Sequence, residues 1–139
     1  MTKVFFYLSL LILSSCITYQ IPVDSFQKQF HDVKANEDLK INNPFSLNNI
    51  SYKGNSISKI KVIDKKGKEL TIDNSPSIEI RITEKNGKKT IFYFDTVTLR
   101  NDTIRGSRSR LIGNLIKAIP LNQIMKIEVQ DGKKDYNYQ

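Results

Sequence analysis

The chain has one cysteine, Cys16, so it can form no disulfide within itself. It has one histidine, His31, which leaves a histidine-rich metal site without its parts, and a Cys-His nucleophile would need Cys16 itself. Its longest mostly apolar run, Val4 to Leu13, is about half of the roughly twenty residues a helix needs to cross a bilayer. Acidic residues are scattered without the spacing of a calcium loop. Gly87, Gly106 and Gly113 fall at expected turns and bends, with no phosphate-cradling pattern. No cofactor and no metal are therefore expected. For catalysis only carboxylates remain: Asp95 with Asp102 is the one pair a hydrolase could use, and turn formation accounts for both more simply. The reading is of a protein that is not an enzyme.

What is present begins with Lys3 to Cys16. One cation, an apolar run, two small residues and the cysteine follow one another in the order of a secretory signal. Leu13-Ser14-Ser15-Cys16 resembles the lipobox of bacterial lipoproteins. That resemblance implies cleavage between Ser15 and Cys16 and acylation of Cys16, leaving 139 minus 15, or 124, residues. At about 0.8 kcal/mol per buried methylene, two or three acyl chains would hold such a protein at its membrane. By the sorting rule of enteric-type lipoproteins, Ile17 rather than Asp after the cysteine favours the outer membrane, facing the periplasm; in a Gram-positive envelope the same anchor would place the chain on the outer face of the plasma membrane.

A mature chain of this length suits one domain that buries a core without disulfides. Formal charge is +8, or +7 once Lys3 leaves with the signal. A basic surface favours anionic partners, and in a cell envelope these are lipid head groups and wall polymers rather than nucleic acid. Arg100, Arg105, Arg108, Arg110 and Lys117 cluster in sequence with only Asp102 against them, and Lys53 to Lys68 is a second basic stretch. They make either a solvated face or an anion-binding surface. Asp95-Thr96-Val97 and Asp102-Thr103-Ile104 resemble the Asp-Ser/Thr-apolar acceptor of periplasmic O-glycosylation, which would make Thr96 and Thr103 acceptors.

Along the chain, residues 1–15 read as signal peptide and 16–24 as the lipidated cysteine and a spacer. Residues 25–55 read as a short helix and loop, 56–132 as a β-domain and 133–139 as a polar tail. The helix opens at Asp24 or Ser25, with Gln27 at capping-box spacing from Asp24, and carries Phe26, Phe30 and Val33 on one stripe. That stripe docks on the domain or on the membrane. The Asn- and Ser-rich segment 36–55 predicts a loop with one short strand near Ser46 to Tyr52. Ile60 and Val62, then Leu70 and Ile72, alternate with polar residues around the turn Asp64 to Lys68, which predicts a hairpin.

Ile78, Ile80 and Ile82 predict the next strand, and Asn86-Gly87 a type I′ turn with positive φ at both residues. Thr90 to Phe94 is apolar on both faces, which suggests a central strand. A bend follows near Asp95-Thr96, then a second tight turn at Asn101-Asp102. Thr103 to Ser107 forms the returning strand, with Gly106 permitting a kink or bulge. After a basic connection, one 3₁₀ turn at Asn122 to Ile124 leads into the last strand, Met125 to Gln130.

The fold class is therefore mainly β, with a short N-terminal amphipathic helix. From Ile78 to Gln130 the element order resembles the SH3-like and Sm-like small antiparallel barrels. The extra hairpin before it leaves a two-sheet sandwich open. Function then reads as a membrane-anchored envelope lipoprotein whose β-domain binds a protein partner through an exposed strand edge or groove. The alternatives are an adaptor for anionic envelope polymer or lipid head groups, and a small hydrolase.

Overall fold

The computed structural model describes residues 16–113 and 115–139. The apolar run and the cleavage-site residue Ser15 lie outside them. Among the described residues there are eleven strands: β1 (Thr18–Gln20), β2 (Glu37–Ile41), β3 (Ile50–Gly54), β4 (Lys59–Ile63), β5 (Glu69–Asp73), β6 (Ile78–Glu84), β7 (Lys89–Tyr93), β8 (Thr98–Arg100), β9 (Thr103–Ser107), β10 (Ile116–Pro120) and β11 (Ile124–Asp131). One helix, α1 (Val23–Phe30), joins them, with 3₁₀ turns at Phe94–Thr96 and Leu121–Gln123.

All pairings are antiparallel. They build a six-stranded sheet in the order β5-β4-β1-β11-β6-β7, a three-stranded sheet β10-β9-β8 and a two-stranded sheet β2-β3. The described strands close no barrel, and a sandwich-like β fold fits them. Period-two alternation does what it predicts: Ile60, Val62, Ile80, Ile82, Ile127 and Val129 are buried from the large sheet, and Ile104 and Ile119 from the small one. Phe26 and Phe30 stack on each other at 4.3 Å and enter the same core, where Phe30 meets Phe94 at 5.7 Å. The apolar stripe of α1 thus serves packing in the domain, the first of the two roles its spacing allowed.

Several elements differ from expectation, each for a local reason. The spacer after Cys16 contains β1, held between β4 and β11 by backbone pairing on both sides. Three residues with one apolar side chain, Tyr19, carry no readable period. α1 starts one residue before Asp24, follows Pro22, and has no side-chain cap; Val33 lies beyond its end. Pro22 presets the entry backbone, so Asp24 is not needed as a cap. Segment 36–55 holds two strands rather than one, and β3 runs to Gly54.

Positive φ at the β6–β7 turn occurs at Gly87 alone, at 85°. The Gly87 amide donates to the Glu84 carbonyl at 2.8 Å, so the loop is a turn closed by one left-handed glycine rather than type I′. The conformation expected there appears at Asn101-Asp102, with φ of 50° and 53°. β7 is an edge strand, not a central one, and Ile91 is exposed on its outer side. Gly106 makes no bulge, because β9 pairs without interruption with β8 and β10. A Cβ at Gly106 would stand 2.5 Å from Cγ of Phe92, so the glycine lets one sheet close onto the aromatic ring of the other.

Candidate functional site: a basic cleft floored by a buried ion pair

The chain bends between β7 and β8 through the 3₁₀ turn Phe94–Thr96, and that bend drives Asp95 inward until it is 1 % exposed. A lone buried carboxylate would cost several kcal/mol. Here Arg110, from the loop after β9, answers it: Nη2 lies 3.0 and 2.9 Å from the two carboxylate oxygens and Nε 3.3 Å from Oδ1. The hydroxyls of Tyr52 on β3 and Tyr138 near the C-terminus both donate to Oδ2, the latter at 3.0 Å. Arg110 Nη2 also donates to the Pro76 carbonyl.

The guanidinium lies over the ring of Tyr93 at 3.8 Å, with Tyr52 and Tyr136 each at 5.3 Å. Its Nη1 has no acceptor among the described residues, and the three rings supply π-density around the cation instead. Burial, then the charge of Asp95 and the hydrogen bond to it, push the phenols of Tyr52 and Tyr138 well above the usual tyrosine range. With its oxygens taken by two tyrosines and a guanidinium, Asp95 has no lone pair left to act as a base. Asp102 sits apart on the exposed Asn101-Asp102 turn, where Gln27 Nε2 donates to it at 3.3 Å. The two aspartates of the hydrolase reading are therefore engaged separately.

The tail 133–139 is docked onto this cluster. Tyr138 bridges Ile41, with the Asn42 amide donating to the Asn137 carbonyl at 3.1 Å and the Gln139 amide to the Lys40 carbonyl at 2.9 Å. The tail thus adds an extended segment to the free side of β2. Tyr136 stands edge-on to Tyr93, and Lys134 Nζ pairs with Glu79 at 2.7 Å.

Above the pair opens a cleft of about 630 Å³ between β3, the β8–β9 hairpin and the loop that carries Arg110. The register places Thr98 opposite Arg105 and Arg100 opposite Thr103, so Arg100 and Arg105 project from one face of the hairpin as diagonal neighbours. Both are exposed, and neither makes an ion pair among the described residues. Leu111 and Ile116 line the cleft and remain 70 % and 60 % exposed, beside Ile112 and Leu115, which are also exposed. No Asp or Glu is among the described residues that line it.

The basic cluster of the sequence is thus divided. Arg100, Arg105 and Arg110 meet at the cleft, Arg110 with its charge already neutralised. Arg108 is exposed and does not line it. Lys117 projects from the opposite face of β10, where its Nζ lies 2.7 Å from Thr90 Oγ1 and 3.3 Å from Glu84. Lys53 lines the cleft while paired with Asp38. His31 is exposed beside Asp32.

Of the two glycan-acceptor candidates, Thr96 has its hydroxyl committed, donating to the Tyr93 carbonyl at 2.7 Å and accepting from the Ser107 amide at 2.9 Å. Thr103 donates to the Asn101 carbonyl at 3.3 Å from a half-buried position. Cys16 is exposed. Comparison of the chain with protein-family models, curated proteins and solved structures returns no match. Among the described residues, no helix is long and apolar enough to cross a membrane.

Proposed function

We propose that this chain is a non-catalytic envelope lipoprotein, anchored through Cys16 on the periplasmic side of the outer membrane, whose β-domain binds an acidic segment of a protein partner. The observation that carries the binding reading is the cleft: two unpaired arginines share one sheet face with exposed Ile116, exposed Leu111 stands on the adjoining loop, and no carboxylate lines it. Wall polymers and lipid head groups would use the arginines but give the aliphatic side chains no work, which favours a partner with both acidic and apolar side chains. The course of β6, the bent β7–β8 pair, β9, β10, the 3₁₀ turn and β11 supports reading this part as an opened small barrel of SH3-like type.

The anchor reading draws support from the placement of Cys16. β1 starts two residues later, so at about 3.3 Å per residue the acyl chains would hold the sheet within roughly 7 Å of the cysteine. The domain would lie against the membrane on a short tether. Labelling cells with a palmitate analogue is expected to tag the chain and to fail with Cys16→Ser; an unchanged label in the variant contradicts the anchor. For the cleft, polyphosphate and poly-L-glutamate can be compared on the full chain in detergent at several salt concentrations. Tighter binding of glutamate, weakened by salt, is expected; a preference for polyphosphate would move the reading to an envelope polymer.

A further inference from the structure

The small β2–β3 sheet accepts added strands, and one of its two edges is open. The edge of β2 is covered by the chain's own tail: Asn42 donates to Asn137 and Gln139 donates to Lys40 on either side of the Ile41–Tyr138 bridge. This pattern fixes which β2 groups point outward to the tail, and therefore that Ile41 turns its own amide and carbonyl toward β3. The register Ile41 to Ile50, Leu39 to Tyr52 and Glu37 to Gly54 then places the amides and carbonyls of Ser51 and Lys53 on the far side of β3. No described backbone group bonds to them there.

That open edge borders the basic cleft, with Ser51 and Lys53 on one side and Arg100 and Arg105 across from them. One end of the gap is tied shut. The Asn55 amide donates to the Asp95 carbonyl at 2.8 Å, and its side-chain Nδ2 to the Phe94 and Val97 carbonyls at 2.8 and 2.9 Å. The two walls are thus held at a fixed junction from which the cleft opens.

We infer that the partner's segment enters this cleft as an extended strand, pairing its backbone with Ser51 and Lys53 of β3 while its acidic side chains face Arg100 and Arg105. The inference rests on the reading that the cleft takes an acidic protein segment, and adds how that segment is held. Backbone pairing supplies affinity without sequence preference, and the arginines select for acid at alternate positions.

A peptide of alternating Glu and Val, about ten residues long, and the same peptide N-methylated on alternate residues carry equal charge, but the second loses the donors that pairing needs. With the full chain in detergent, the unmodified peptide should bind and slow hydrogen exchange at the Ser51 and Lys53 amides. The methylated one should bind at least about tenfold more weakly. Equal binding of both, or binding without slowed exchange at these amides, overturns strand pairing while the charge reading stands. Failure of both peptides to bind at about 1 mM overturns both.

Discussion

At the residue scale, Asp95 and Arg110 decide the most. Both side chains are almost wholly buried, at 1 % and 3 % exposed, so removing one partner strands the other charge. Arg110→Met should cost about 3–5 kcal/mol of stability by denaturant titration, whereas Asp95→Leu combined with Arg110→Met should cost clearly less. Equal losses would mean that the pair is not what holds the bend.

The tyrosines of the same cluster set a pH limit. Their folded-state pKa values are raised, so above about pH 10 the unfolded chain sheds protons that the native state keeps. Stability should therefore be level with respect to these groups below about pH 9 and fall as pH rises beyond 10. Tyrosinate absorbance should show Tyr52 and Tyr138 ionising only on unfolding, read as the signal lost in Tyr52→Phe and Tyr138→Phe. Ionisation of these two near pH 10 in folded protein would contradict the cluster.

At the scale of elements, strands with a buried face were legible and short ones were not. Ile60/Val62, Ile78/Ile80/Ile82 and Ile127/Val129 state their alternation openly, and the hairpins follow. β1, β2 and β3 carry few apolar residues because their stability comes from backbone pairing and from neighbours distant in sequence. Tyr136 and Tyr138, two aromatics at period two in an otherwise polar tail, are the sequence sign of the tail's docking. Deleting residues 136–139 removes a donor to a buried carboxylate and two backbone bonds to β2, and should cost about 2–4 kcal/mol. No change in unfolding midpoint would show the tail to be ornamental. Gly106→Ala must push against Phe92 and should cost about 1–3 kcal/mol, while Gly113→Ala, with nothing within 4 Å of the new methyl, should be near neutral.

At the scale of the whole molecule, the basic balance of the sequence located the candidate site only in part. Sequence proximity grouped five cations, but strand alternation sends Lys117 to the other face of its sheet, and burial turns Arg110 into the partner of Asp95. Arg100 and Arg105 remain, facing a wall that sequence placed elsewhere: β3, in a segment expected to be mostly loop. The cleft exists because a bent strand, an inserted ion pair and a docked tail hold three sheets in one arrangement, beside a cysteine two residues from the first strand. The proposed function requires that this cleft bind acid through those two arginines. The direct measurement is the affinity of the full chain for the Glu-Val peptide at fixed salt, compared with Arg100→Ala/Arg105→Ala and with Arg108→Ala as a surface control. About a tenfold or greater loss is expected in the double variant and little change in the control; equal affinity in all three proteins would show that the two arginines do not bind acid.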